Sequence, residues 1–364
     1  MIILSISKLN NKEYVGININ IPTYVKSLNN VCKSAYLDLG NEQLKRFENY
    51  EYYFTRDRIK KFNINCLPAP FNKPDIVVFQ SLYIKEFIGI YKNLKINKIS
   101  YTIIPRCSMT SEAQRRKKLK KFIGNLLFYN KFIKNAAFIH FLTPNEKEQS
   151  KKFKIKNSVV IGNGTETKKI KYSVKNRNEY KVIYIGRYDI YHKGLDVLLE
   201  AIHTGKEYFE ANNIHFYLYG SDFENNLVLL QKKKENLDLQ KVLSISNAVF
   251  GAEKEKKLLD ADIFIQTSRL EGHPTGVIEA ISYGIPVITT PGTNLYDDVK
   301  KYNIGFIAEL NSNDICSAII KSYESKKEFK KISENAINYA NKNFNWNSIS
   351  KEILKQYSLY IGKK

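Results

Sequence analysis

The chain has 364 residues, 43% hydrophobic and 26% charged, which suits two domains with real cores and excludes a disordered chain. Its 58 Lys and Arg against 36 Asp and Glu give a formal net charge of +22, unevenly placed: residues 1–170 hold 31 basic and 12 acidic residues (+19), and residues 171–364 hold 27 and 24 (+3). The opening MIILSISKLNNKEY is no secretory signal, no run nears the roughly 18 apolar residues of a membrane span, and Cys32, Cys66, Cys107 and Cys316 form no C-x-x-C pair, as expected for reduced cytoplasmic thiols.

In chain order, short apolar and β-branched runs predict buried parallel strands at 1–6, 75–79, 100–104 and 137–142, and then at 181–186, 215–220, 262–266 and 286–290. Segments with helical spacing lie between them, such as Leu119, Phe122, Ile123, Leu126 and Ile133, or Leu195, Leu198, Leu199 and Ile202. Alternation of this kind predicts an α/β chain with parallel sheets covered on both faces, whose ligands sit at the carboxyl ends of strands. The polar, lysine-rich stretch 167–180 reads as an exposed linker. The basic tail from Asn343 ends in a helical pattern (Trp346, Ile349, Ile353, Tyr357) whose charge matches the first half, so it is expected to cross back there.

Two stretches carry chemistry. In IYIGRYDIYHKGLDVLLEAI (183–202) a strand ends at Gly186, a short loop carries Arg187, and Lys193-Gly194 opens a helix. Two cations beside a helix amino terminus, where unpaired amides already favour an anion, suit a diphosphate leaving group; two solvated surface cations are the plainer alternative. In TSRLEGHPTGVIEAISYGIPVITT (267–290) Glu271 follows a strand and a turn, and Glu279 comes eight positions later on a helix. Gly272, Pro274 and Gly276 let backbone approach a ligand, and each carboxylate can accept from paired sugar hydroxyls; helix-capping or surface glutamates are the alternative.

The combination of GRYDIYHKG and EGHPTGVIEA, in this order and distance, resembles the retaining glycosyltransferases of family 4, including those of capsule, O-antigen and exopolysaccharide synthesis. FLTPNEKEQ (141–149) and IGNGTE (161–166) extend the resemblance over nearly the whole chain. It implies the GT-B architecture, two Rossmann-like domains facing a cleft: 1–170 with 343–364 as a membrane-facing acceptor domain, and 171–342 as the donor domain. It further implies that Arg187 and Lys193 bind the donor diphosphate and that Glu279 binds the ribose. Glu271 would face the reacting sugar, backbone amides of Thr275, Gly276 and Val277 would hold phosphate or sugar hydroxyls, and Phe250 in FGAEKEKK would seat the base. These roles amount to leaving-group stabilisation and positioning.

In the first half, Pro105-Arg106-Cys107 stands where related sequences often have histidine and glycine at the last two positions, so Arg106 is a candidate contact to phosphate, sugar or an acidic acceptor, with a structural salt bridge as the alternative. The loop Asn10–Gly16 resembles the acceptor-side loop of the family, with Gly16, Asn18 and Lys12 as candidate contacts. Asp260-Ala261-Asp262 spells the metal–diphosphate D-x-D of the other large glycosyltransferase architecture, but it sits between a helix end and a strand, where Asp262 is expected to cap; no metal and no cofactor are expected. Residues 111–121 are expected to open on a Ser111–Gln114 capping box and to place Arg115, Arg116, Lys117, Lys118, Lys120 and Lys121 on a membrane-surface helix, each cation worth about 1 kcal/mol near an anionic leaflet. A solvated helix face is the alternative.

The expectation is therefore a retaining, metal-independent hexosyl- or hexosaminyltransferase on the inner face of the plasma membrane. It moves sugar from a nucleotide-diphosphate sugar, a UDP-sugar foremost, to a lipid-diphosphate-linked glycan of a surface polysaccharide. A nucleotide-sugar epimerase of the same fold is the alternative. A nucleic-acid-binding protein is third, since the charge alone suggests it and no nucleic-acid motif supports it.

Overall fold

The structure, a computed structural model, describes residues 1–9, 16–40, 52–115, 117–165, 168 and 171–361. The described strands are β1 (Ile2–Ser7), β2 (Lys33–Asp38), β3 (Tyr53–Thr55), β4 (Ile76–Gln80), β5 (Ser100–Ile104), β6 (Phe138–Phe141) and β7 (Ser158–Val160), then β8 (Tyr180–Ile185), β9 (Ile214–Gly220), β10 (Leu243–Asn247), β11 (Ile263–Gln266), β12 (Val287–Thr289) and β13 (Gly305–Ile307). They form a seven-stranded sheet in the order β3-β2-β1-β4-β5-β6-β7 and a six-stranded sheet in the order β10-β9-β8-β11-β12-β13, with every pairing parallel. Both contain the doubly wound strand order, which reverses direction between β1 and β4 and again between β8 and β11.

The chain divides into two compact units, Met1–Gly164 with Trp346–Lys364, and Thr165–Asn345. The sequence boundaries of 170 and 343 lie a few residues inside the second unit, because Thr165 bridges Asn345 and its amide donates to the Phe344 carbonyl at 2.7 Å.

In the first unit the pleat sorts side chains between the two faces. Leu4, Ile6, Val77, Phe79, Tyr101 and Phe141 build one core, and Ile3, Tyr36, Ile76, Val78, Ile104 and Phe138 build the other. On the second of these faces the helix Gly16–Leu28 packs with the returning helix Trp346–Ser358. Ser350 donates to Ser27 at 3.0 Å, the Tyr24 and Tyr357 hydroxyls lie 3.2 Å apart, and the Tyr24 and Trp346 rings meet edge to face. His140 sits between the Tyr357 hydroxyl and the Ile161 carbonyl, 2.8 Å from each, and burial pulls its imidazole down to about 4. The tail thus returns to the first unit, as expected from its charge, and is held there through a fully buried polar network.

Three expectations are corrected. The 167–180 stretch is not wholly an exposed linker: Tyr172 is buried, and its amide donates to the Tyr283 carbonyl at 2.7 Å. The basic segment is not one helix opened by Ser111 and Gln114. Thr110 Oγ1 accepts from the Ala113 amide, the Gln114 amide group donates to the Tyr83 hydroxyl and the Ser108 carbonyl, and a left-handed turn at Lys117 (φ 51°) separates Ser111–Arg115 from Lys118–Gly124. Finally, the apolar spacing at 119–126 does not mark a core face: Leu119, Phe122, Ile123 and Leu126 are exposed, and only Ile133 is buried.

Candidate active site

The site grows from the switch point of the second sheet. β8 ends at Ile185 and β11 at Gln266, side by side, and their outgoing loops carry Arg187 and Glu271. After β8 the chain makes a short helical turn, Ile190–Lys193, with Asp189 as its N-cap. Asp189 Oδ1 accepts from the His192 amide at 3.2 Å and lies 2.8 Å from His192 Nδ1, and Oδ2 accepts from Arg187 Nη2 at 2.9 Å. Burial pushes the Asp189 carboxyl up, but its His192 hydrogen bonds and the Arg187 charge more than offset that, and it lies below its ordinary value. The Arg187 guanidinium also covers the Phe223 ring at 4.4 Å, so a half-exposed cation is fixed from two sides.

Gly194 then turns the chain into the helix Leu195–Thr204. Its φ is +63°, and a Cβ there would lie 2.0 Å from the Thr267 carbonyl oxygen, so only glycine fits where the two loops cross. The crossing is bolted on three sides. Thr267 Oγ1 donates to the Lys193 and Gly194 carbonyls at 3.2 Å, the Arg269 amide donates to the His192 carbonyl at 2.9 Å, and the Arg269 guanidinium forks onto Asp196 at 2.6 and 2.8 Å.

This geometry brings Lys193 and Glu271 into a direct ion pair, both largely buried. Glu271 Oε1 also accepts from the Gln266 side-chain amide and from Ser268 Oγ at 2.9 Å, while the Asn294 side-chain amide donates to the Glu271 carbonyl. A second ion pair joins Glu279, on the helix Thr275–Tyr283, to Lys254, on the helix Gly251–Asp260 whose N-cap is the partly exposed Phe250. Val277 is buried, so only its backbone is available to a ligand, at a helix end whose first amides have no intrahelical acceptor. Gly276 packs closely: a Cβ would meet the Phe264 ring at 3.1 Å and the Ile185 carbonyl oxygen at 3.2 Å.

Sequence reasoning missed four residues here. Lys254 stands inside the quoted FGAEKEKK, four positions after Phe250, where helical spacing places it one turn on. Asp189 sits inside GRYDIYHKG, and its signal was the N-cap position three residues before His192. Gln266 and Asn294 carried no local signal, since their roles depend on which strands are neighbours.

The D-x-D faces the other way. Asp260 and Asp262 lie at the amino end of β11, opposite the loop that carries Glu271. Arg177 donates to Asp260 at 3.0 Å and to Asp262 at 2.7 Å, Lys181 Nζ pairs with Asp260 at 2.7 Å, and Asp262 accepts the Lys181 amide at 2.8 Å. Asp262 does cap the strand edge.

In the first unit, Arg106 and Cys107 follow β5 with φ of 50° and 66°, two consecutive left-handed residues of which the second occupies a conformation that favours glycine. Glu146 holds this turn: its Oε1 accepts the Cys107 amide at 2.5 Å and its Oε2 the Leu142 amide at 2.8 Å. Burial pushes the Glu146 carboxyl up. Arg106 makes no ion pair among the described residues; its Nε and Nη2 both donate to Gln80 Oε1, at 3.1 and 2.8 Å. Burial lowers its guanidinium to about 10, with the charge of Glu146 opposing, so it stays charged at neutral pH. Among the described residues, then, no salt bridge holds it.

Gly16 begins the helix Gly16–Leu28 and Asn18 is buried within it, whereas Lys12 and the loop 10–15 fall outside the described residues. Arg115, Lys117, Lys118 and Lys120 are exposed, and Arg116 lies outside the described residues. Lys121 turns inward, onto the Ala113 carbonyl and over the Tyr83 ring at 5.2 Å.

Residues 165–342 match the family model described as glycosyl transferases group 1. The match covers nearly all of the second unit and just under half of the chain. An uncharacterized glycosyltransferase of Methanocaldococcus jannaschii is 26% identical over 90% of this chain and 95% of its own length. Among solved structures, sucrose-phosphate synthase from Thermosynechococcus elongatus superposes with a TM-score of 0.75 at 14% identity, covering all of both chains. The Anabaena protein HepE, solved in complex with UDP and glucose, also gives 0.75, at 16% identity over 99% of this chain and 100% of its own. These two likenesses establish the GT-B fold of two Rossmann-like domains; the group 1 match and the archaeal relative are what support a glycosyltransferase.

Proposed function

We propose that the protein is a retaining glycosyltransferase that moves a hexosyl or hexosaminyl group from a nucleotide-diphosphate sugar, a UDP-sugar first, to a lipid-diphosphate-linked glycan of a surface polysaccharide. The observation that carries the reading is the pairing of cations with carboxylates at the β8–β11 switch point. Arg187, Lys193 and Lys254 balance Asp189, Glu271 and Glu279, so the cluster is neutral by formal count before a donor arrives. A diphosphate would draw Lys193 and Arg187 to its oxygens and leave Glu271 and Glu279 free to accept from hydroxyls. The same change serves both ends of the donor: the cations meet the leaving group and the carboxylates meet sugar and ribose.

In the proposed step the bond from the anomeric carbon to the diphosphate oxygen breaks and its electron pair goes to the departing phosphate, where Arg187 and Lys193 spread the charge. The acceptor hydroxyl bonds to the same face of that carbon, and its proton passes to the released phosphate oxygen. The D-x-D carboxylates are committed to Arg177 and Lys181, which favours a reaction without a metal. That HepE was solved in complex with UDP-glucose supports a UDP-sugar donor. The balance of +19 over residues 1–170 supports an anionic membrane surface as the place of reaction, and therefore a lipid-linked acceptor.

The deciding experiment incubates the full chain with a panel of nucleotide sugars and a lipid-diphosphate acceptor, following free nucleotide and the anomeric configuration of the product by NMR. The reading requires nucleotide release that depends on acceptor and an axial donor giving an axial product. Interconversion of the sugar without nucleotide release would make it an epimerase. Transfer to a soluble sugar phosphate in place of the lipid would reassign the acceptor.

A further inference from the structure

The segment after the left-handed turn at Lys117 runs as a helix Lys118–Gly124, a π turn Asn125–Tyr129 and a helix Asn130–Lys134, and it presents two apolar faces. One is consumed by the core of the first unit. Phe132 stacks on Tyr101 with ring centroids 5.2 Å apart, Phe128 meets Tyr91 edge to face at 5.6 Å, and Tyr129 meets Tyr83 at 4.8 Å.

The other face is exposed among the described residues. Leu119, Phe122, Ile123, Leu126 and Leu127 are 74, 64, 48, 71 and 77% exposed, spaced so that they form one stripe. Fourteen large apolar side chains are strongly exposed among the described residues, and five of them fall within these nine positions, too dense a cluster for ordinary scattered surface residues. Residues 117–134 contain six lysines and no acidic residue; Lys117, Lys118 and Lys120 are exposed at one end of the stripe, and Lys131 and Lys134 at the other.

We infer that this stripe inserts into the boundary between headgroups and acyl chains of an anionic bilayer, with the segment lying in the membrane plane and its lysines among the lipid phosphates. The inference deepens, and rests on, the membrane-facing reading above. It adds that apolar insertion, and not surface charge alone, seats the first unit. Its charge points to lipid: a rim of cations without acids matches a layer of phosphates, and the aliphatic and aromatic strip matches the acyl chains beneath it. No helix among the described residues is long and apolar enough to cross a membrane, so insertion at the interface is the mode that fits.

The test is co-sedimentation of the full chain with phosphatidylcholine vesicles, with and without phosphatidylglycerol, over a range of salt. Wild type should bind the anionic vesicles and retain part of that binding at high salt. Replacing Phe122, Leu126 and Leu127 together by serine should lower the partition coefficient by about tenfold or more, with thermal unfolding little changed because the side chains are mostly exposed. Leu127→Trp adds a reporter to a chain whose single native tryptophan, Trp346, is buried; its emission should shift to the blue with vesicles and be quenched by brominated acyl chains. Equal partitioning of the serine variant, or a bound Leu127→Trp protein that bromolipid does not quench, overturns insertion. So does a wild-type dimer that the serine variant breaks while vesicle binding stays the same. Nucleotide-sugar turnover in detergent reads the functional proposal separately: stripe-dependent insertion without transfer would sink that proposal alone, and transfer without insertion would sink this one alone.

Discussion

The two sheets share a strand order, and in both the loops at the carboxyl ends carry cations, but the cations are treated differently. After β8 and β11, Arg187 is held by Asp189, Lys193 by Glu271, and Arg269, which fixes the loop, by Asp196. After β5, Arg106 makes its hydrogen bonds among the described residues to the neutral side chain of Gln80. A site built to bind and release a dianion gains from carboxylates that orient its cations in advance and trade places with the ligand. The Arg106 guanidinium is drawn below its usual value by burial, with the charge of Glu146 opposing, and no described carboxylate is in ion-pair contact with it. Residues 171–364 hold 27 basic and 24 acidic residues and pair the cations around Glu271 within the chain, whereas residues 1–170 hold 31 and 12, so most of their cations have no acid in the same half to pair with.

The sharpest way to break this comparison is to cut one ion pair from each side. Lys193→Ala and Glu271→Gln should each lower kcat/KM by about 10²–10³-fold, the usual scale for removing a positioned charge from a transition state. Their binding phenotypes should part. Lys193→Ala loses UDP affinity about tenfold, whereas Glu271→Gln, which frees Lys193 from its competitor, keeps or improves it. Calorimetry with UDP decides: equal weakening in both variants would mean that the pair is structural and the trade does not occur.

Arg106→Gln comes next. With no described carboxylate in ion-pair contact to strand, the fold should survive with little change in melting temperature, while kcat/KM falls about 10–100-fold and UDP affinity stays put. If stability drops by several kcal/mol instead, Arg106 is a structural residue and the contrast between the units is lost.

Asp189→Asn probes how Arg187 is aimed. Asparagine keeps a capping oxygen but loses the charge that holds Arg187 and His192, so kcat/KM should fall about tenfold. Because the folded carboxyl lies below its ordinary value, its contribution to stability is complete above the ordinary carboxylate range and is lost as pH falls through the folded value. The melting-temperature gap between wild type and variant should therefore be widest near neutral pH and close in strong acid. A gap independent of pH would show that Asp189 acts only as a cap.

Much of this was legible in the sequence, and the remainder hid for identifiable reasons. The eight strands read from apolar runs all exist, because central parallel strands are buried on both faces and their composition alone reveals them. Of the missed strands, β3, β7, β10 and β13 are sheet edges, short or polar on the open side, and β2 begins with Lys33 and Ser34. Arg187, Lys193, Glu271 and Glu279 lay in recognisable stretches. Their partners did not: Lys254 with Glu279 and Gln266 with Glu271 depend on three-dimensional adjacency. The apolar stripe at 119–127 misled because helical periodicity marks a face without saying what covers it.

The smallest expected effect is at the D-x-D. Asp260 is half-exposed and engages Arg177 and Lys181 at the end of β11 that points away from Glu271, so its charge reaches no reacting atom. Asp260→Asn should cost about 1 kcal/mol or less of stability, as for other solvent-screened ion pairs, and leave kcat/KM within about twofold of wild type. The same variant should show no altered response to Mn²⁺ or Mg²⁺, and wild type should keep full activity with chelator. A strict divalent-metal requirement abolished by Asp260→Asn would mean that these carboxylates leave Arg177 and Lys181 to hold a metal. The cation–carboxylate pairs around Arg187 and Lys193 would then no longer suffice to neutralise the diphosphate, and the contrast between the two units would have to be drawn around the metal.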